Sequence, residues 1–274
     1  MEEIKADTQR ILRGEEVSSE SHNTVKDLPN NFKDWIRDNA ERTARAKSLP
    51  YFIRDNSDLI DKTNFVGDIS DAISNNNKEL SVALSVRQGK AMNFASVDEG
   101  RSNPNYVNLD VQKEGYYDNC QTCTVAYELR RRGFDVEALP NKRNEFYRKW
   151  CVKNNFDWRD RFVNEDGTRP QYAMSDYSVV DTIQEKLAYI EQRTEDYGRY
   201  EVLCSWKKIK CAHVFIVERQ RSGNLLWFDP QSGKKGGAFD DYLKKMKAHQ
   251  IGIMRIDDKI INPVFAARLK GASQ

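Results

Sequence analysis

Asn119-Cys120-Gln121-Thr122-Cys123-Thr124-Val125-Ala126-Tyr127-Glu128-Leu129 reads as a loop that delivers a cysteine onto the first turn of a helix. The residues that follow, Arg130-Arg131-Arg132-Gly133, predict a helix over about 120–132 that stops at a glycine suited to the C′ position. Stepping about 100° per residue puts Val125, Leu129, Ala126, Cys123 and Tyr127 on one apolar arc. Gln121, Thr124, Glu128, Arg131 and Arg132 fall on the other side, with Arg130 an exception. Cys123 therefore reads as packing. Cys120 sits at the arc's edge, where first-turn N–H groups and the positive end of the helix dipole favour a thiolate and an oxyanion.

A nucleophile needs a base and an orienting group. The chain has only three histidines: His22 in a polar leader, His249 at the end of an expected lysine-rich helix, and His213. His213 opens the apolar run Val214-Phe215-Ile216-Val217, while Asp229 closes Leu225-Leu226-Trp227-Phe228. A hairpin turning at Arg221-Ser222-Gly223-Asn224 has its midpoint at 221, which sets 213 beside 229. His213 and Asp229 are thus the candidate base and orienter for an acyl-transfer nucleophile.

The surrounding pattern is mixed. Strands are expected over 134–139, 200–206, 212–218, 225–228 and 251–256, and helices over 144–153, 179–192 and 240–247. Upstream, Phe32, Trp35, Ile36, Ala40, Thr43 and Ala44 keep helical spacing, and Ser74-Asn75-Asn76-Asn77 reads as a turn. Residues 79–86 fit helix or strand, and Asn103-Pro104-Asn105-Tyr106 reads as the turn that opens a second domain. The expected arrangement is α+β: a helical and partly irregular N-terminal region over 1–101, then a domain over 102–274 with a helix packed on an antiparallel sheet.

Composition narrows the classes. With 44 basic and 42 acidic residues in 274 the net charge is +2, so nothing in the overall balance speaks for nucleic acid. The start, Met1-Glu2-Glu3-Ile4-Lys5, lacks the pattern of a secretory signal, and no apolar run approaches the ~20 residues of a membrane span. A protein made in the cytoplasm, with no membrane partner, is expected; delivery to a target cell or virion would use a route without a cleaved signal. Five cysteines are an odd number and no disulfide framework. Cys120-x-x-Cys123 with Cys204 and Cys211-x-His213 has enough ligands for zinc, but a knuckle wants its first pair on a turn, and this pair opens a long helix. No metal and no cofactor are expected. Arg130-Arg131-Arg132 and Lys244-Lys245-Met246-Lys247 read as solvated helix faces, and Trp206 and Trp227 as packing.

Taken together, Asn103-Pro104-Asn105-Tyr106, Asn119-Cys120-Gln121-Thr122-Cys123, Tyr127 to Val136, His213-Val214-Phe215 and Phe228-Asp229-Pro230-Gln231-Ser232-Gly233 resemble the papain-fold toxin family of bacterial polymorphic toxins and phage head-associated proteins. The resemblance spans roughly 102–257 and implies a papain-like fold. It implies a protein-glutamine deamidase with Cys120 as nucleophile, His213 as base and Asp229 as orienter. Asn119 and Gln231 become candidates for lining the substrate and oxyanion site. Papain itself carries a Cys-x-x-Cys here and uses the second cysteine, so Cys123 stands as the alternative nucleophile. Glu114 and Tyr117 occupy the places where papain-like enzymes carry an oxyanion glutamine, which leaves the second oxyanion donor open. Residues 28–56 resemble, more weakly, the tail segment of phage minor head proteins. The implied partners are a protein substrate presenting a glutamine, and a cognate immunity protein or a virion structural protein. Two other readings use the same residues: a cysteine peptidase or isopeptidase, and a non-enzymatic phage or mobile-element protein that keeps the fold as a docking module.

Overall fold

A five-stranded antiparallel sheet covered on both faces is the frame on which the candidate residues sit. The computed structural model describes residues 65–98, 101–108, 115–141, 158–195, 197–209 and 211–272. The helices expected over 32–47 and 144–153 lie outside the described residues.

In chain order the elements are α1 (Phe65–Leu84), α2 (Cys120–Arg131), β1 (Val136–Ala138), β2 (Phe162–Val163), β3 (Ala173–Met174), α3 (Ile183–Glu191), β4 (Arg199–Trp206), β5 (Ala212–Arg219), β6 (Leu225–Phe228), α4 (Asp240–Lys245), β7 (Met246–Arg255), β8 (Ile260–Ile261) and β9 (Leu269–Gly271). Short 3₁₀ turns cover Pro104–Tyr106, Gly236–Phe239 and Pro263–Arg268. The main sheet runs β3-β7-β4-β5-β6, and two-stranded ribbons join β1 to β9 and β2 to β8.

β5 shows why this strand is central. Six consecutive residues from His213 to Glu218 are buried, so the strand carries a core on each side. Val214 and Ile216 join one core with α1 and α2, through Leu80, Leu84, Val125, Ala126 and Leu129. Phe215 and Val217 join the other with α3 and α4, through Ile190, Tyr242 and Leu243. The alternation is the period-two consequence of the pleat. No helix among the described residues is long and apolar enough to cross a membrane.

Several elements depart from the sequence reading, each for a tertiary reason. Ser74-Asn75-Asn76-Asn77 is no turn but mid-α1. Asn76 is buried and its carboxamide pairs with the backbone of Ile261 twice, at 2.9 and 3.0 Å, closing the open side of β8. α1 precedes residue 102, yet Leu80 and Leu84 enter the core that α2 occupies. α4 ends at Lys245 because Met246 is fully buried opposite Trp206 and starts β7. β7 is thus ten residues long, and His249 lies on that strand rather than on a helix. α3 starts only at Ile183, where the Thr182 hydroxyl accepts from Glu185 N.

The expected polar face of α2 is not solvated either. Every residue from Thr122 to Arg130 is buried. Arg130 donates to Val97 O at 2.5 Å and pairs with Asp135, Arg131 pairs with Glu218 at 2.8 Å, and Arg132 and Arg199 both hold Glu128 at 2.8 Å. The arginine run is internal wiring rather than an exposed face.

Gly133 closes α2 in a Schellman motif: Phe134 N donates to Leu129 O and Gly133 N to Arg130 O. Its φ is +99°, and a Cβ there would run into the carbonyl of Gly89. Gly133→Ala is therefore expected to cost about 1–3 kcal/mol or more, read as a lowered urea midpoint at unchanged slope.

Candidate active site

Cys120 is the first residue of α2, half-buried, and Asn119 is its N-cap. The Asn119 carbonyl accepts from Thr122 N and Cys123 N at 2.9 and 3.0 Å, which starts the helix. Its side chain does not cap. Instead it forms reciprocal amide bonds with Asn103 at 3.2 Å, donates to Leu139 O at 3.1 Å, and accepts from Cys123 Sγ at 3.2 Å. Asn103 Nδ2 also reaches Gln231 O at 3.0 Å, and Gln231 Nε2 reaches Asn119 Oδ1 at 3.4 Å. Three chain segments are thereby bracketed behind the cysteine. Asn119 spends its carboxamide on this bracket, which leaves the backbone N–H of Cys120 as a first-turn donor of α2.

His213 is the first buried residue of β5, and its Nε2 lies 3.1 Å from Asp229 Oδ2. Asp229 follows the last residue of β6. The ladder pairs Ile216 with Phe228 and Val217 with Trp227, so the hairpin is centred on 222, one residue beyond the position expected. His213 and Asp229 are consequently diagonal neighbours on one face rather than directly opposite, a spacing long polar side chains still bridge. A turn with Gly233 at φ +73° closes through Asp229 N to Lys234 O and Gly233 N to Asp229 O, fixing the carboxylate's backbone.

The carboxylate is fully engaged. Asp229 Oδ2 also accepts from Ser232 Oγ at 2.6 Å and from Tyr242 OH at 2.5 Å, and Oδ1 accepts from Gln231 N at 3.0 Å. Burial alone would raise its pKa, yet His213, Ser232 and Tyr242 together hold it below the ordinary aspartate value. Burial likewise pushes the His213 imidazolium down, but hydrogen bonds and charge from Asp229 and Cys120 outweigh it and hold the pKa at about 10. With Nε2 taken by Asp229, Nδ1 is the nitrogen left for the sulfur. Trp206 stacks over the imidazole at 5.8 Å between ring centroids, and Tyr242 meets it edge-on.

Chain region 118–234 holds all three of these side chains, and it matches the family model described as papain fold toxin 1, glutamine deamidase. Over this segment the chain is similar to the papain-fold toxins. The match is narrower than the 102–257 span of the sequence motifs. A search of the curated proteins finds no match.

Within the matched segment the two cysteines of the Cys-x-x-Cys differ sharply. Cys123 is wholly buried, hydrogen-bonded to Asn119, and burial pushes its thiol well above the ordinary value. Cys120 alone of the pair acts on the His213 imidazole, helping to raise its pKa. Cys204, directly across the ladder from His213, is also buried with its thiol pushed up by burial, and Cys211 is exposed. No three His, Cys, Asp or Glu side chains among the described residues gather closely enough to hold a metal ion.

Sequence reasoning assigned no role to Tyr242, Ser232 or Asn103, and took Trp206 for packing. Ser232 and Asn103 stood inside quoted motifs. Tyr242 carried no local signal, because its contact with Asp229 comes from packing α4 on the sheet. Tyr106, stacked on Tyr117 at 5.5 Å, borders the same site; burial, Tyr117 and the charge of Asp229 push its pKa up to about 12.

The raised imidazole pKa has a stability consequence. An unfolded histidine titrates near ~6.5, so the native state binds the extra proton between that value and about 10. The stability excess of wild type over His213→Ala should be full below about pH 6.5, fall as pH rises, and be gone above about pH 10. Urea denaturation of both proteins across that range is the check.

Proposed function

We propose that the chain is a cysteine-dependent amidohydrolase, a protein-glutamine deamidase, in which Cys120, His213 and Asp229 act as a triad. The observation that carries this reading is a single buried imidazole held by a carboxylate at 3.1 Å and electrostatically coupled to a cysteine at a helix tip. The papain fold toxin match, whose description names glutamine deamidase, supports the substrate side of the reading.

The steps follow from the positions. The Cys120 thiolate, balanced by the His213 imidazolium, attacks the carboxamide carbon of a glutamine side chain, and the C=O electrons move onto oxygen. The backbone N–H of Cys120 at the helix start, and the Gln231 amide, hold that oxyanion. As the tetrahedral species collapses, the C–N bond breaks and His213 gives its proton to the departing nitrogen, releasing ammonia. His213, now neutral, takes a proton from water; hydroxide attacks the thioester, glutamate leaves, and the thiolate and imidazolium return. Asp229 keeps the ring oriented throughout, and Tyr242, Ser232 and the Gln231 N–H keep Asp229 in place.

An immunity protein or a virion structural protein as partner, and delivery into a target cell, belong to the same toxin reading. The reading takes 102–274 as the segment that carries the reacting groups, with α1 ahead of it packed into the same core.

The test is the intact mass of protein substrates after incubation with the full chain. A gain of about 1 Da per glutamine with ammonia released is expected. Fragments in place of that gain would replace deamidation with peptide-bond cleavage by the same residues, and no change with wild type and Cys120→Ser alike would favour a docking role.

A further inference from the structure

The lysine run that reads as a solvated helix face lies beside the candidate active site. Lys207 follows Trp206, the residue stacked on His213, and its N–H donates to Lys245 O at 2.9 Å. Lys234 Nζ stands 5.2 Å from the centre of the Tyr242 ring, whose hydroxyl holds Asp229. Lys235 Nζ stands 5.1 Å from the Phe228 ring, one residue before Asp229. Lys207, Lys208, Lys234, Lys235 and Lys245 are exposed and Lys247 is half-buried. All six occupy the sheet end formed by the exits of β4 and β6 and the start of β7, where His213 also lies.

Among the described residues, acidic groups do not balance this rim. Asp181 is already held by the buried Lys186 at 2.5 Å as well as by Lys207 at 2.8 Å. Asp241 pairs with Lys245 only at 3.7 Å with both side chains exposed, and Asp240 beside it is exposed too. For a chain whose total is +2, the concentration of positive charge at one edge is a directional feature. A cavity of about 340 Å³ is lined by Val179, Asp181, Lys207, Lys247 and by Tyr177, which stacks on His249 at 4.3 Å. The rim contains lysines and no arginine across 205–209 and 230–247. Point charges of this kind suit clustered carboxylates, whereas base-edge readout calls on the arginine fork.

We propose that this rim is the docking surface for an acidic segment of the protein substrate, which carries its glutamine to Cys120, with one side chain of that segment entering the Tyr177–His249 cavity. The proposal rests on the deamidase reading for the identity of the partner, but its test does not rest on turnover.

Full-chain Cys120→Ser is titrated into two fluorescein-labelled peptides, one with a glutamine flanked by glutamates and one matched with lysines in their place. The acidic peptide should bind about tenfold tighter or more at low salt, and the difference should collapse near 0.5 M salt, where the screening length falls to a few ångströms. Lys208→Glu and the pair Lys234→Glu, Lys235→Glu should each weaken it by about threefold or more, with iodoacetamide labelling of Cys120 in otherwise wild-type protein unchanged. Equal binding of the two peptides, or indifference to these substitutions, overturns the proposal. Displacement of the acidic peptide by an oligonucleotide at lower concentration than by unlabelled peptide overturns it in favour of nucleic acid. Wild-type protein that prefers the acidic peptide but releases no ammonia from any glutamine would sink the deamidase reading and leave the docking surface standing.

Discussion

Cys120→Ser is expected to lower ammonia release from a glutamine-bearing protein by on the order of 10⁴-fold while leaving the fold intact. The sulfur contributes little packing: Cys120 is half-buried at the helix tip, and the contacts that hold the tip belong to its neighbour Asn119. Serine in its place keeps the helix start but presents a far weaker nucleophile. Cys123→Ser should behave in the opposite way, keeping most of the activity at some cost in stability, since its thiol sits wholly inside the core. His213→Ala should slow modification of Cys120 by iodoacetamide by roughly 10²-fold, because the imidazolium partner is gone. If Cys123→Ser proved inactive and Cys120→Ser active, with both folded, the assignment of nucleophile would be reversed.

The second large effect concerns stability. Arg161 and Glu201 are both fully buried and paired, and Thr124 Oγ1 donates to Glu201 Oε2 at 3.1 Å. Arg161 Nη1 also donates to Gln121 O and Thr124 Oγ1, at 2.5 and 3.0 Å, so the pair braces the first turn of α2 from beneath. Arg161→Met leaves the carboxylate buried without its cation and is expected to cost about 3–5 kcal/mol. Burial already raises the Glu201 pKa, with Arg161 opposing that rise. Without the guanidinium the carboxyl takes a proton more readily in the native state, so the deficit should shrink as pH falls from neutral toward about 4. Adding Glu201→Gln should return part of the loss, because no bare charge then remains inside. Urea denaturation measures all three proteins; a loss below about 1 kcal/mol in Arg161→Met would show that the charges contribute little there.

What the sequence made legible was local or strictly periodic. The Cys120 helix, its glycine stop and the hairpin between β5 and β6 each follow from spacing and turn chemistry within a short window. The hairpin's centre was misplaced by one residue because Arg221-Ser222-Gly223-Asn224 admits more than one closure; the observed loop pairs Gln220 with Asn224 around Gly223. The remainder was decided by distant partners. Asn76 looks like a turn residue until Ile261 claims its side chain, and Met246 looks helical until β4 claims its backbone. The buried polar network shows the same thing most clearly. Glu128 falls on the polar arc of its helix and Arg130 in a run that reads as a solvated face, yet both are buried, and Glu128 is held by Arg199, 71 positions away. Of the site, the three central side chains stood out by type and order, whereas Tyr242 emerged only from packing.

The ties of Asn119 to Asn103, and of Asp229 to Tyr242, have a practical meaning for anyone cutting this gene product down to size. Both outer partners fall beyond the 118–234 stretch, as does β7, which lies between β3 and β4. A fragment trimmed to that stretch would carry every reactive atom yet lack its anchorage and bare the backbone edge of β4. Useful minimal versions should be drawn from before α1 to beyond β9, with the homologous segment treated as a passenger of its surroundings.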